Sequence, residues 1–179
     1  MKSSIVQISK YLSLVLRHKP ETIGISLNSG GWVEVSELLE ASNAHGTKLD
    51  LDLLLHIVYE NDKQRFALSP DGKSIRANQG HSVDVELGLM PKSPPTSLYH
   101  GTVSKFLDSI RIQGLMPGSR QYVHLSADPG TAEIVGKRRG RPVILVIEAE
   151  RMAKDGMIFY QSLNGVWLTK HVPANYILP

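Results

Sequence analysis

The sequence predicts an α+β protein in two parts, and three observations carry that reading. Three helical patterns followed by a hairpin signature occupy the first 76 residues. A stretch punctuated by Gly88, Pro91, Pro94 and Pro95 then forbids any long regular element, and beyond it helices and strands alternate irregularly. With 179 residues and 41% hydrophobic content, the chain can bury one sizeable core or two small ones.

Each element has its own warrant. Ile5, Ile8, Leu12, Val15 and Leu16 fall at helical spacing and Pro20 halts the pattern, so Arg17 and His18 emerge where the helix stops. Segment 27–33, with Asn28-Ser29-Gly30-Gly31, reads as a tight turn between short extended pieces. Ser36 is placed to cap a helix over 37–41, and 49–59 carries another amphipathic helix. Segments 66–69 and 73–76 flank Pro70-Asp71-Gly72, whose residues supply hairpin turn geometry. Three helices and a hairpin make a winged-helix plan. Such units often read duplex DNA through the third helix, but Asp50 and Asp52 and the lack of Arg or Lys in its first turns make a poor surface for a phosphate-lined groove.

The prolines and glycines of 80–97 set a domain boundary. After it, 103–113 reads as a helix built on Phe106, Leu107 and Ile110 and stopped by Gly114, while Asp128-Pro129 is a cap followed by proline at the first helical position. Segment 142–147 reads as a buried strand, and 157–160 and 165–169 as two more, around a small mixed sheet.

Composition narrows the function. A net charge of +3 mildly favours an anionic partner such as nucleic acid. Cysteine is absent, which excludes disulfides and thiolate metal sites, and His45, His56 and His171 lack ligand-spaced partners, so no metal is expected. Residues 1–5 carry no secretory pattern and no stretch approaches a membrane span; a soluble cytoplasmic protein without a membrane partner is expected. Nothing in the residues specifies an oligomeric state.

Two motifs carry chemistry. His100-Gly101-Thr102 after Leu98-Tyr99, with Val123-His124-Leu125-Ser126 further on, offers an imidazole, a backbone without a Cβ and a hydroxyl to a flat polar ligand such as the nicotinamide riboside of NAD. A histidine beside glycine is also an ordinary structural device. The companion set is Arg17-His18-Lys19, Arg65 and Arg120. Guanidinium forks suit phosphate and histidine can exchange a proton, although each residue taken singly reads equally as solvated surface charge.

The chain resembles the KptA-type RNA 2′-phosphotransferases, known in eukaryotes as tRNA 2′-phosphotransferases, over nearly its whole length. The likeness runs through Ser9-Lys10-Tyr11-Leu12-Ser13, Leu16-Arg17-His18-Lys19-Pro20, Gly30-Gly31-Trp32, Lys63-Gln64-Arg65-Phe66, Ile75-Arg76-Ala77 and Gln79-Gly80-His81-Ser82. It continues through Leu98-Tyr99-His100-Gly101-Thr102, Gly118-Ser119-Arg120-Gln121-Tyr122-Val123-His124-Leu125-Ser126 and Asn164-Gly165-Val166-Trp167-Leu168-Thr169. The resemblance implies a winged-helix lobe (1–88), a linker (89–97) and an ADP-ribosyltransferase-like mixed-sheet lobe (98–179), with chemistry in the cleft between the lobes. It implies NAD as a consumed co-substrate, no metal, and RNA carrying an internal 2′-phosphate as partner, as left at a splice junction by some tRNA-splicing ligations. That phosphate attacks the nicotinamide-bearing ribose carbon and expels nicotinamide. The neighbouring ribose hydroxyl then attacks phosphorus, releasing 2′-hydroxyl RNA and ADP-ribose 1″,2″-cyclic phosphate.

By motif match, Arg17, His18, Arg65 and Arg120 take the phosphate-handling and catalytic roles, with His18 as general acid toward the departing RNA oxygen. His100, Gly101 and Thr102 match the strand holding nicotinamide and its ribose, and His124 and Ser126 the second NAD-contacting strand. Val166 stands where many protein ADP-ribosyltransferases carry glutamate, which suits an already ionised phosphate nucleophile that a carboxylate would repel. His81 lies in a matching motif but could simply satisfy linker backbone, and Trp32 and Trp167 read as core or lobe-contact aromatics. Arg138, Arg139 and Arg141 meet NAD diphosphate or RNA, or solvate a helix end. Two rival functions stay open: a mono-ADP-ribosyltransferase acting on nucleic-acid phosphates or protein and stopping after one step, and a winged-helix nucleic-acid binder without chemistry.

Overall fold

A computed structural model describes residues 2–178 in backbone and side chains from Ile5 onward. The chain divides into two compact units, Met1–Gly88 and Leu89–Pro179. No helix among the described residues is long and apolar enough to cross a membrane.

The first unit grows from α1 (Lys2–Arg17), whose Leu12, Val15 and Leu16 are fully buried. Pro20 ends it as expected, and a single 3-10 turn at Pro20–Ile23 follows. β1 (Val33–Glu34), α2 (Val35–Ala44), α3 (Leu51–Tyr59), β2 (Phe66–Leu68) and β3 (Ser74–Ala77) complete the unit. The strands form an antiparallel sheet in the order β1-β3-β2, with Val33 opposite Ile75 and Phe66 opposite Ala77. Leu12, Leu38, Leu54, Ile57, Phe66 and Ile75 share one core between the helices and the sheet. The expected hairpin is present, its turn closed by Gly72 N–H donating to the Ser69 carbonyl at 2.8 Å. Asp50 caps α3, accepting the Leu53 N–H at 2.8 Å, so it serves the helix start rather than lining a helix face.

The start of α2 differs from expectation. It begins at Val35, so Ser36 sits inside its first turn and caps nothing, and it continues through Ala44 rather than ending near 41. The orphan N–H of Val35 donates instead to the Lys73 carbonyl, 2.8 Å away at the hairpin. A tertiary bond does the work that local sequence assigned to a side chain.

The second unit comprises β4 (Leu98–Val103), α4 (Leu107–Gln113), β5 (Val123–Leu125), α5 (Pro129–Gly136), β6 (Pro142–Ile147), α6 (Ala149–Lys154), β7 (Phe159–Gln161), β8 (Trp167–Thr169) and β9 (Ile177–Leu178). β4-β6-β9 is one three-stranded sheet and β5-β8-β7 a second. Tyr99 and Ser126 join them by exchanging backbone hydrogen bonds of 2.9 and 2.8 Å. Leu98, Leu125, Ile147, Met152 and Phe159 share the core of this unit. Residues 89–97 run against it, Lys92 N–H donating to the Phe159 carbonyl at 2.8 Å.

The expected mixed sheet is absent: every ladder among the described residues is antiparallel. Helix-bearing connections usually join parallel strands of one sheet. Here α4, α5 and α6 each carry the chain from one sheet to the other, so no such crossover forms. The segment 103–113 is also more broken than its periodicity suggests. Val103 remains in β4, opposite Pro142, and Ser104–Phe106 is a 3-10 turn, leaving α4 only seven residues. The strand at 142–147 is present, but only Leu145 and Ile147 of it are buried. Asp128-Pro129 starts α5 as expected, the carboxylate accepting the Thr131 N–H at 2.8 Å.

Candidate functional site

In the first unit, α1 stops at Arg17, and the chain after β3 returns to meet its exposed end. Ser82 and Val83 N–H groups both donate to the Arg17 carbonyl, at 2.9 and 3.3 Å. This anchors the Ser82 hydroxyl 2.9 Å from Nδ1 of His18. Arg17 is itself only 8% exposed. Its Nη2 donates to the Arg65 carbonyl at 3.4 Å and its guanidinium carbon lies 5.9 Å from the centre of the Phe66 ring. Arg65 reaches back to α1, donating from Nη1 to the Ser9 hydroxyl at 3.3 Å, which also accepts from Asn61 Nδ2 at 3.4 Å. Asn78 fixes the strand entrance by donating its N–H to the Arg65 carbonyl and its amide to the Gln64 carbonyl. Gln64 adopts φ 39°, a left-handed conformation that a side chain of its kind seldom takes. Strained backbone held by surrounding bonds is common where side-chain placement is functional.

Arg17, His18 and Arg65 are thus gathered by chain segments far apart in sequence. Ser9, Asn61, Asn78 and Ser82 support them and went unnoticed in the sequence. Ser9 and Ser82 had a signal, as the first residue of the Ser9-Lys10-Tyr11-Leu12-Ser13 motif and the last of Gln79-Gly80-His81-Ser82, while Asn61 and Asn78 had none.

Of the two readings left open for His81, a motif role or a bond to linker backbone, the second does not hold. It is 1% exposed, and neither ring nitrogen has a hydrogen-bond partner among the described residues. Burial, reinforced by Arg17, His18 and Arg76, pushes its pKa down to about 4. The unfolded chain takes up this proton near 6.5, the ordinary imidazole value, and the folded chain only near 4. Between those limits the unfolded state binds more protons, so folding stability falls as pH drops. The loss should reach roughly 2–3 kcal/mol by about pH 4.5. Urea unfolding of the wild type and of His81→Leu at neutral and acid pH checks this. The variant should lose that share of the acid sensitivity, and an unchanged pH dependence would refute the assignment.

In the second unit, His100 donates from Nδ1 to the His124 carbonyl at 3.1 Å. Burial lowers the His100 pKa; the bond to the His124 carbonyl opposes that and Arg139 adds to it. The ring is therefore neutral at pH 7, with its proton on Nδ1 and a lone pair on Nε2. Arg120 contacts Nδ1 of His124 at 2.5 Å. A guanidinium has no acceptor, so that nitrogen must accept and the His124 proton must sit on Nε2. Two neighbouring histidines are held as opposite tautomers. The Arg120 pKa is lowered by withdrawal of its guanidinium from water and by Arg139 and Arg138.

Four more of the expected site residues can be placed in the fold. Gly101 lacks a Cβ for the sake of α5, because an added Cβ would lie 1.8 Å from the Ala132 carbonyl oxygen. Thr102 is buried as a residue, 6% exposed, next to Gly101 on β4. Ser126 is half-buried at the junction of the two sheets. Val166 closes the turn before β8, its N–H donating to the Ser162 hydroxyl at 3.1 Å. By strand alternation it shares a face with Leu168, the residue paired with His124. Arg120, His100, His124, Ser126 and Val166 all belong to the β4–β5–β8 side of this unit.

Other residues take plainer roles. His45 bonds the Ala41 carbonyl at the end of α2 and His171 the Gln113 carbonyl at the end of α4. Trp167 is buried, and Trp32 lies under the Arg76 guanidinium, 4.5 Å from ring centre to carbon.

Residues 3–171 match the family model described as RNA 2′-phosphotransferase, Tpt1 / KptA family. Among curated relatives, a protein of Acaryochloris marina named "Probable RNA 2′-phosphotransferase" is 51% identical over 178 residues, covering 99% of this chain and 98% of its own length. Proteins of the same name from Pectobacterium carotovorum and Agrobacterium fabrum are 54% and 55% identical, over 95% and 94% of this chain and 92% and 91% of theirs.

Proposed function

Since the chain belongs to the RNA 2′-phosphotransferase, Tpt1 / KptA family, we propose that it is a transferase removing an internal 2′-phosphate from RNA and that it consumes NAD in doing so. The constellation of Arg17, His18 and Arg65, tied together through Ser82, Ser9 and Phe66, carries this reading. Three helices with an antiparallel hairpin suit a winged-helix lobe for 1–88, and the paired three-stranded sheets suit an ADP-ribosyltransferase-like lobe for 98–179.

The roles follow from chemistry. By the family resemblance Arg17, Arg65 and Arg120 are the phosphate-handling residues, and always-charged guanidinium forks suit that task. One phosphate oxygen forms a bond to the nicotinamide-bearing ribose carbon as the bond to nicotinamide breaks, its electron pair neutralising the pyridinium. The adjacent ribose hydroxyl then bonds to phosphorus, giving up its proton, while the phosphorus bond to the RNA 2′-oxygen breaks. His18, oriented by Ser82, hands that oxygen its proton. The lone pair on Nε2 of His100 is an acceptor suited to a ribose hydroxyl, which is the fit expected of a nicotinamide riboside site. Val166 leaves the phosphate nucleophile free of carboxylate repulsion.

Mass spectrometry after mixing the enzyme, NAD and an RNA with one internal 2′-phosphate tests the proposal. The expected products are nicotinamide, ADP-ribose cyclic phosphate and RNA with a free 2′-hydroxyl. A stable ADP-ribosylated RNA as the end product would favour a one-step transferase, and untouched NAD would overturn the reading. His18→Ala should stall after the first step, with the ADP-ribosylated RNA building up.

A further inference from the structure

The roles assigned above leave unused the basic turn that follows α5. Gly136, the last residue of α5, packs so tightly on β4 that a Cβ there would lie 3.2 Å from the Thr102 carbonyl oxygen and 3.3 Å from the Gly101 carbonyl carbon. The chain therefore leaves α5 beside the strand that carries His100. It continues through Lys137-Arg138-Arg139-Gly140-Arg141, with a 3-10 turn over Lys137–Arg139, before entering β6. All four cationic residues are exposed. Lys137 is paired with Glu133 at 2.7 Å, but no carboxylate pairs with Arg138, Arg139 or Arg141 among the described residues. The Arg139 guanidinium lies 5.7 Å from the centre of the Phe106 ring, and the Lys105 ammonium 5.0 Å from the same ring.

A solvated helix end needs no arginine seated on an aromatic ring. Contact with the ring restrains the guanidinium, so less freedom is lost when an anion binds. Crowding cations without intervening carboxylates also costs free energy, which an approaching polyanion would release. That crowding is felt nearby, because Arg139 lowers the His100 and Arg120 pKa values and Arg138 lowers that of Arg120.

We propose that Lys105 and Arg139, which contact the Phe106 ring, together with Arg138 and Arg141 of the same basic turn, dock the phosphodiester backbone of the RNA flanking the nucleotide that bears the 2′-phosphate. The inference rests on the reading of the chain as an RNA 2′-phosphotransferase. A dinucleotide brings only two phosphates, whereas four cations spread over 105 and 138–141 suit a run of them. Each such contact to a single strand releases counterions and steepens the dependence of binding on salt by about 0.7 in log–log slope.

The test pairs the wild type with an Arg138→Glu/Arg139→Glu variant, and with Arg138→Ala/Arg139→Ala as the milder change. Fluorescence anisotropy over a salt series reads binding of a 2′-phosphorylated RNA of about a dozen nucleotides; steady-state kinetics uses the same RNA, a 2′-phosphorylated dinucleotide, and NAD. The wild type should bind the long RNA with a steep salt slope. Loss of two contacts should lower that slope by roughly 1.4 and weaken binding about tenfold. KM for the long RNA should rise with kcat, the dinucleotide KM and the NAD KM unchanged. A raised KM for NAD with no dependence on RNA length would assign the patch to the diphosphate and overturn the proposal. Equal binding and equal salt slopes would do the same in favour of a solvated turn. Wild-type protein that binds the long RNA with the expected slope yet turns over neither RNA would sink the functional reading and leave the docking surface standing.

Discussion

Arg120→Ala is expected to slow RNA 2′-phosphate transfer by about 10²–10³-fold, the range seen when one preorganised oxyanion donor is removed, or about 2.7–4 kcal/mol. In the proposed reaction the second step places growing negative charge on the oxygens of a five-coordinate phosphorus, and a planar guanidinium is suited to meet two of them at once with no proton to move. Arg120 also fixes the His124 tautomer through its bond to Nδ1, so its loss frees that ring as well. The residue packs into neither core, which leaves the fold intact and makes the kinetics interpretable. Rapid-quench time courses should show ADP-ribosylated RNA building up in the variant, because the second step suffers most. Arg120→Lys should recover only part of the rate, since it restores the charge but not the fork. Turnover within a few-fold of the wild type, with no adduct, would remove Arg120 from the phosphate-handling set.

Residues whose constraint is local could be read from the sequence. Pro20 ends α1 whatever surrounds it, Pro70-Asp71-Gly72 turns a hairpin, and Asp128 before Pro129 caps a helix, because each acts through its own backbone geometry. Ser36 looked equally local and failed, since the Lys73 carbonyl had already met the orphan N–H of Val35. Strand direction was not legible either. It depends on which sheet the chain re-enters after each helix, and α4, α5 and α6 all switch sheets. β9 has two residues and α6 has six, too few for periodicity to register.

The site shows the same division. Side-chain chemistry singled out Arg17, His18, Arg65 and Arg120, but not what holds them. Ser9 and Ser82 are ordinary serines until α1 and the 78–83 segment are brought together. His81 is the sharpest case, where a motif residue whose role the sequence left open proves to be a buried imidazole without hydrogen-bond partners among the described residues. Sequence names the groups that can do chemistry, while tertiary contact decides their protonation and aim.

Gly101 tests that division most directly, because its sequence reading and its structural reading predict different outcomes. If the missing Cβ only lets a ligand approach, Gly101→Ala should weaken NAD binding and leave stability alone. The structure predicts instead a large loss of stability. The new methyl would lie 1.8 Å from the Ala132 carbonyl oxygen and 2.8 Å from both the Ala132 carbonyl carbon and the Gly136 nitrogen. All three are backbone atoms, so no change of rotamer relieves the clash and α5 must retreat from β4. Overpacking of this kind costs about 3 kcal/mol at the upper end of its usual range. The retreat also displaces the basic turn after α5 and loosens His100. Gly118→Ala is the control, with φ 65° but nothing within 4 Å of its Cβ. It should lose only about 1–2 kcal/mol from the left-handed conformation. Urea unfolding followed by the fluorescence of Trp167, which is buried in this unit, ranks the two variants. Gly101→Ala should rank below Gly118→Ala although only Gly118 has a positive φ. A Gly101→Ala protein as stable as the wild type, with NAD binding alone impaired, would return the glycine to the ligand.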